Sequence, residues 1–319
     1  MMNFLFADNW NYIQKMTLGE NITLNAKHLL AWTTLNVSGT INTDYLYTLE
    51  ATTTINESGV VNANTGDATI QVKDNATFIV NGTVNTAILN VWVNDAKLIV
   101  DGEKAKVDAS WVDIWDGTPS VTVQNGATLA TSEDNGIKAS RGGSITVDNA
   151  TLTGKIQLGH NGESAGELTV IGNSTLSPIT LTVVGSTVEG PEGLNVTTNV
   201  QDHKVVYENG VYKVVAKVYV AQVGEVKYES VNEAINSADD GATVQLLPGT
   251  IEEYVYPWPE SNHSKEKSIT IVGSKDDEGN LTTTLTGGMY LGYDDSQCRE
   301  HNIVVKDVNF TGKGILVAC

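Results

Sequence analysis

Along the first two-thirds of the chain, apolar residues alternate with Thr, Asn, Gln and Lys over runs of three to five positions. Each run is closed by Asn, Asp, Gly or Ser. The pattern is plain in Ile70-Gln71-Val72-Lys73-Asp74-Asn75-Ala76-Thr77-Phe78 and Val121-Thr122-Val123-Gln124-Asn125-Gly126-Ala127-Thr128-Leu129. It returns as Ile145-Thr146-Val147-Asp148-Asn149-Ala150-Thr151-Leu152 and Leu168-Thr169-Val170-Ile171-Gly172-Asn173-Ser174-Thr175-Leu176, with weaker copies around Leu35, Lys97 and Leu181. A period of two predicts short strands with one buried and one wet side. Positive-φ corners suit Gly and Asn.

Aligned on the step before each Thr-apolar or Lys-apolar pair, the copies place Thr77, Lys97, Thr128, Thr151 and Thr175 in equivalent positions, with a further copy at Thr187. Most of the intervals are close to one another in length; the one from Lys97 to Thr128 is longer and the one from Thr175 to Thr187 is half as long. A recurring period in the low twenties predicts a solenoid whose coils each hold two or three stacked parallel strands. The long interval reads as a loop emerging from one corner. The Asn-x-Ser/Thr triplets, as at Asn75, Asn149 and Asn173, follow from the same corner chemistry.

From residue 200 the pattern changes. Val205-Val206-Tyr207 and Val211-Tyr212-Lys213-Val214-Val215 flank Glu208-Asn209-Gly210, a hairpin signature that marks 200–216 as a closing hairpin or hinge. Downstream, Ser230 and Glu233 have capping-box spacing, Val231, Ala234, Ile235 and Ala238 share one helical face, and Gly241 suits the helix end. Strands follow at Ala242–Leu247, Ser268–Gly273, Thr284–Gly287 and Asn302–Phe310.

The order short helix, Gly241-Ala242-Thr243-Val244-Gln245-Leu246-Leu247-Pro248-Gly249, Ser268-Ile269-Thr270-Ile271-Val272-Gly273, then Asn302-Ile303-Val304-Val305-Lys306-Asp307-Val308-Asn309-Phe310 resembles the opening of a pectin-lyase-like parallel β-helix. That resemblance covers about residues 217–317 and implies a right-handed solenoid whose helix covers the N-terminal end. Residues 20–199 resemble the repetitive β-helical segments of bacterial surface and adhesin-like proteins. The expectation is an all-β protein of two tandem right-handed parallel β-helices with one capping helix: 1–199, the hairpin 200–216, and 217–319 as a second solenoid cut after about three coils.

Charge narrows the partners. Acids outnumber bases 38 to 19, for a formal net charge of −19, which argues against nucleic acid and anionic membrane. No stretch approaches the roughly 20 apolar residues of a membrane span. The first residues carry too short an apolar run and no basic leader for a signal peptide. Cys298 and Cys319 fit free thiols or a bridge between them.

The superfamily contains polysaccharide lyases and glycoside hydrolases. The nearest match to catalytic chemistry is Asp294 with Asp295, followed by Arg299; a loop of solvated charges is the simpler reading of the same residues. The family's Asn-Thr-Asp and Gly-His-Gly elements are missing. The five histidines lack ligand spacing, so neither a metal nor another cofactor is expected.

Aromatic residues point elsewhere. With Val91, Val93, Val112 and Ile114 inward, Trp92, Trp111, Asp113 and Trp115 face outward beside Asn94 and Asp116. The offset between Trp92 and Trp111, close to one coil, would set them on adjacent coils. Rings beside hydrogen-bonding groups suit a sugar, while burial beneath the long interval would make them packing. Tyr254, Tyr256 and Trp258 form a second aromatic loop. The expected function is a non-catalytic, secreted or cell-surface bacterial module, adhesin-like, contacting a glycan or a host or cell-surface protein. A polysaccharide lyase or glycoside hydrolase of the same fold is the alternative, and a trimeric phage-type fibre segment shares the same local sequence.

Overall fold

The computed structural model describes residues 15–63, 69–140, 142–159, 164–256, 267–292 and 302–318. The chain divides into two compact units, Met1–Ala216 and Lys217–Cys319. Both are parallel β-solenoids, about 12 turns in all, with one short helix.

Among the described residues of the first unit, nine coils stack. One face holds Lys15–Leu18, Thr34–Val37, Thr52–Ile55, Thr77–Val80, Lys97–Asp101, Ser120–Gln124, Ser144–Asp148, Glu167–Ile171 and Thr187–Glu189, all in parallel order. The other sheet consists of longer strands, such as Thr40–Leu49, Thr83–Trp92 and Lys106–Trp115. Midway along each, alternation slips: Asp44 and Tyr45, or Ala87 and Ile88, are both half-exposed in succession. The strand bends there, and in other coils it divides, as into Val60–Ala63 and Thr69–Lys73. The coil therefore has three faces.

Inward positions hold one continuous aliphatic core, with Val37, Ile41, Leu46, Ile55, Leu89, Leu98, Val112 and Ile137 fully buried. Each such side chain contributes roughly 1.5–3 kcal/mol by leaving water. Inward polar groups find partners: the Thr48 and Thr53 hydroxyls, both buried, hydrogen-bond to each other at 2.9 Å.

Register explains the uneven spacing of the repeats. Thr77 pairs with Lys97 and Lys97 with Ser120 on the first face, whereas Lys106, Thr128, Thr151 and Thr175 form a column on the second. The long interval from Lys97 to Thr128 is thus a change of face, not a loop. In the middle of the first-face column the step is regular: Lys97 to Ser120, Ser120 to Ser144 and Ser144 to Glu167 are steps of almost equal length. The two faces are easily confused because both open alike. A small corner residue precedes an outward Thr, Ser or Lys and an inward apolar residue, as in Ala76-Thr77-Phe78 and Ala127-Thr128-Leu129.

Corner columns are small because the backbone of the preceding coil passes beneath them. A Cβ at Gly82 would lie 2.2 Å from the Asn56 carbonyl oxygen and 2.4 Å from that of Gly59. One coil later the turn is longer, and Ala105 occupies the equivalent place, buried.

The hairpin His203–Glu208 and Val211–Ala216 belongs to the first unit. It turns through Asn209 and Gly210, both at positive φ, and adds antiparallel to Thr187–Glu189, which ends the first sheet. The Tyr212 hydroxyl accepts from the Leu194 N–H at 2.9 Å and donates to the Pro191 carbonyl at 3.1 Å. A parallel edge is thereby blocked by a strand of opposite direction.

The described residues of the second unit form three coils. Thr243–Leu246, Ile269–Val272 and Ile303–Lys306 form one face; Gly249–Ile251, Thr283–Leu285 and Asn309–Phe310 the next; Met289–Gly292 and Ile315–Ala318 the third, which Val255 joins by a bridge to Met289. The helix spans Val231–Ser237, with Ser230 as N-cap accepting from the Glu233 N–H. It ends before the expected Gly241, with Ala238 as its C-cap. Glu253, well beyond the helix in sequence, holds its start: the carboxylate accepts from Ser230 Oγ at 2.6 Å, the Val231 N–H at 2.6 Å and Asn232 Nδ2 at 2.7 Å. A carboxylate there satisfies orphan N–H groups and opposes the helix dipole. Val231, Ala234, Ile235 and Ala238 then share a core with Val244, Leu246, Ile269 and Ile271.

Close packing at the corners gives an asymmetric expectation. Gly82→Ala should lower stability by about 2 kcal/mol or more, because backbone must shift. Ala105→Gly, one coil away in the same column, should cost about 1 kcal/mol or less. Urea unfolding of the two variants measures the difference.

Candidate functional site

The third face is built by the second limbs of the long strands. Register sets three outward columns on it. One runs His28, Tyr45, Thr69, Ile88, Trp111, Gly136; the central one Leu30, Tyr47, Gln71, Asn90, Asp113, Lys138, Gln157; the last Leu49, Lys73, Trp92, Trp115. Among the described residues of the nine coils, all outward aromatic side chains of the strands lie here. Phe78 points into the core, and the other two faces carry mainly Thr, Ser, Asn and charged residues outward.

The Trp pair that meets across coils is Trp92 with Trp115. They are register partners, with ring centroids 5.0 Å apart and planes at 29°. Trp111 pairs instead with Ile88, so the offset between Trp92 and Trp111 does not set those two side by side. One coil here advances from Trp92 to Trp115, a longer step, which leaves Trp111 in a different column. No loop from the Lys97–Thr128 interval covers the rings, since that interval is itself strand and corner.

Both ring systems are half-buried by their neighbours. Lys73 Nζ lies 5.4 Å from the Trp92 centroid, and Lys138 Nζ lies 4.9 Å from that of Trp111. These ammonium groups sit against the negative ring faces. The Trp111 Nε1 atom is buried and has no partner among the described residues. Asp113 Oδ1 accepts from Ser140 Oγ at 2.9 Å, which fixes the carboxylate in the central column. Asp116 is exposed in the following turn at φ 65°, and Val93, expected to point inward, instead lies half-exposed at φ 66° because the strand ends at Trp92.

Lys73, Lys138, Asn90 and Gln71 are not among the sequence-predicted site residues, yet they complete the face. The coil register, counted from Trp92 to Trp115, is the signal that finds them. The same register reveals an amide ladder on the second face: Asn42 donates to Asn25, Asn62 to Asn42 and Asn85 to Asn62, at 2.8, 3.0 and 2.9 Å. Its signal is the recurring apolar-Asn-small step of Leu24-Asn25-Ala26, Ile41-Asn42-Thr43, Val61-Asn62-Ala63 and Val84-Asn85-Thr86.

Asp294, Asp295, Arg299, Trp258 and both cysteines lie outside the described residues. Tyr254 and Tyr256 pack edge to face at 4.9 Å, and Tyr256 meets Tyr290 at 6.3 Å. Among the described residues no group of three or more His, Cys, Asp or Glu is gathered in a metal-holding arrangement. No described helix is long and apolar enough to cross a membrane.

A shallow groove of about 430 Å³ runs along one corner, lined by Glu57, Asn81, Asp101, Gly102, Glu103 and Lys104. It arises because the short turn at Asn81-Gly82 lies between longer turns. Lys104 Nζ reaches Glu57 Oε2 at 2.9 Å, and that hydrogen bond holds the Glu57 carboxyl below its usual range. Both groups are in water, where such a pair adds little. Polar walls on every side make it a poor small-molecule pocket.

Scans of protein-family models, curated proteins and solved structures return no match to the chain.

Ring stacking across coils should appear as coupling. A double-mutant cycle of Trp92→Ala and Trp115→Ala, read by urea unfolding, should give an interaction energy of about 0.5–1.5 kcal/mol. Trp92→Ala with Trp111→Ala should give a smaller one.

Proposed function

We propose that the chain is a non-catalytic β-solenoid from a secreted or cell-surface bacterial protein, adhesin-like, whose first unit contacts a glycan across the third face. One observation carries this reading: among the described strand residues of the nine coils, outward aromatic side chains lie on one of three faces and flank a polar column of Gln71, Asn90 and Asp113. Half-buried indoles offer apolar edges, while the amides and carboxylate offer hydrogen bonds to hydroxyls. Acidic corners and outward charges keep the stack soluble. For the second unit, the capping helix and three-sided coils support a pectin-lyase-like β-helix used as scaffold.

The test is a glycan screen read by Trp fluorescence, run in parallel with an assay for new reducing ends and unsaturated products. Binding without product is expected. Trp92→Ala and Trp111→Ala should each weaken it about tenfold or more, in the range of aromatic hot spots. Product release that disappears in Asp294→Asn or Asp295→Asn would replace this reading with a lyase or hydrolase.

A further inference from the structure

Beside the third face, the turns that follow its strands carry acids in four consecutive coils. Glu50 follows Leu49, Asp74 follows Lys73 and Asp116 follows Trp115, while Asp95 lies further along the turn after Trp92, beyond Val93 and Asn94. Leu49, Lys73, Trp92 and Trp115 are register partners, so the four turns repeat at the strand spacing of about 4.8 Å. Glu50, Asp95 and Asp116 are exposed and Asp74 is half-exposed. Among the described residues none of the four is in an ion pair. Their hydrogen bonds are to neutral groups: Asn94 Nδ2 donates to Asp74 at 3.3 Å, and Thr118 Oγ1 to Asp95.

A row of like charges is a cost unless something of opposite sign approaches it. The adjoining rings show the same preference from within the molecule. Lys73 and Lys138 place their ammonium groups over Trp92 and Trp111, which demonstrates that cations reach these ring faces. The whole chain, at −19, points the same way.

Resting on the glycan reading above, we infer that the third face takes a glycan bearing protonated amino groups in preference to neutral or acidic ones. Its ammonium groups would meet the rim of Glu50, Asp74, Asp95 and Asp116. Its ring carbons would lie against the indole edges, and its hydroxyls would meet Gln71, Asn90 and Asp113. Lys73 and Lys138 then act as internal competitors. Their long, flexible stems let them leave the rings when a ligand cation arrives.

The experiment compares four probes with the full chain at about pH 5.5, where the amines of a glucosamine oligomer are largely protonated. They are a hexamer of β-1,4-linked glucosamine, its fully N-acetylated counterpart, a hexauronate and hexalysine. The amine hexamer should bind about tenfold or more tightly than the acetylated one, and salt should erode the difference. Combining Glu50→Gln, Asp74→Asn, Asp95→Asn and Asp116→Asn should remove most of that selectivity. Asn and Gln keep the turns, three of which use positive φ at Glu50, Asp74 or Asp116. A control with Asp101→Asn, Glu103→Gln, Asp148→Asn and Glu167→Gln makes the same change in net charge away from this face, and should leave selectivity intact. Lys73→Gln should tighten binding of the amine hexamer about two- to fivefold.

Equal binding of the acetylated hexamer would overturn the charge preference and leave the glycan reading standing. Absence of binding by every hexose probe would overturn both. Tighter binding of the hexauronate, or weaker binding of the amine hexamer by Lys73→Gln, would reverse the sign of the site. Equal loss in the control would reduce the effect to net charge, and hexalysine binding as tightly as the amine hexamer would assign the face to a basic peptide; either result overturns the proposal.

Discussion

Parallel hydrogen bonding between successive coils constrains everything else in this protein. Once a coil lies on its predecessor in register, each residue is placed about 4.8 Å from its equivalent one turn earlier. Side chains then meet their own kind. Inward columns become continuous stacks of Val, Ile and Leu; Asn25, Asn42, Asn62 and Asn85 become an amide ladder; Trp92 and Trp115 become a stacked pair. The corners obey the same constraint, because the backbone below leaves room only for Gly, Ala or a similarly small residue.

A surface on such a scaffold is therefore made of columns. The third face gains its character from three of them, each built by residues roughly a coil apart in sequence and brought together by register alone. Lys73, Trp92 and Trp115 come from three successive coils, and each is followed by a turn that carries an acid. Chemistry on a face can thus change gradually along the stack by substitution in one coil at a time. The Asn ladder illustrates this: Asp108 takes the place of the next amide, with Lys106 at 3.8 Å from its carboxylate.

Much of the fold was legible because strands with one buried side alternate strictly and corners need Gly or Asn. The capping helix was legible from Ser230 and the apolar face beginning at Val231, although Glu253, which holds its start, lies too far along the chain for any local pattern to name it. The hairpin through Asn209-Gly210 was legible from its turn. Face assignment was not. Ala76-Thr77-Phe78 and Ala127-Thr128-Leu129 are the same tripeptide grammar on different faces, so alignment by that grammar merges two columns and misplaces the interval between Lys97 and Thr128. The outward direction of Trp92, Trp111 and Trp115 could be read from alternation, but their neighbours could not. Those depend on the length of each coil, which brings Trp115 to Trp92 and leaves Trp111 beside Ile88.

Register can be measured directly by cross-linking across coils in a chain whose own two cysteines are replaced by serine. Thr122 and Thr146 are partners on the first face, one coil apart. Strands about 4.8 Å apart fall within the Cα separation a disulfide tolerates. Thr122→Cys with Thr146→Cys should oxidise to a bridge with the solenoid intact, while Thr122→Cys with Asp148→Cys, displaced by one outward position, should remain largely reduced under the same conditions. Equal bridging in the two pairs, or bridging only in the displaced one, would contradict the coil register on which the columns of the third face depend.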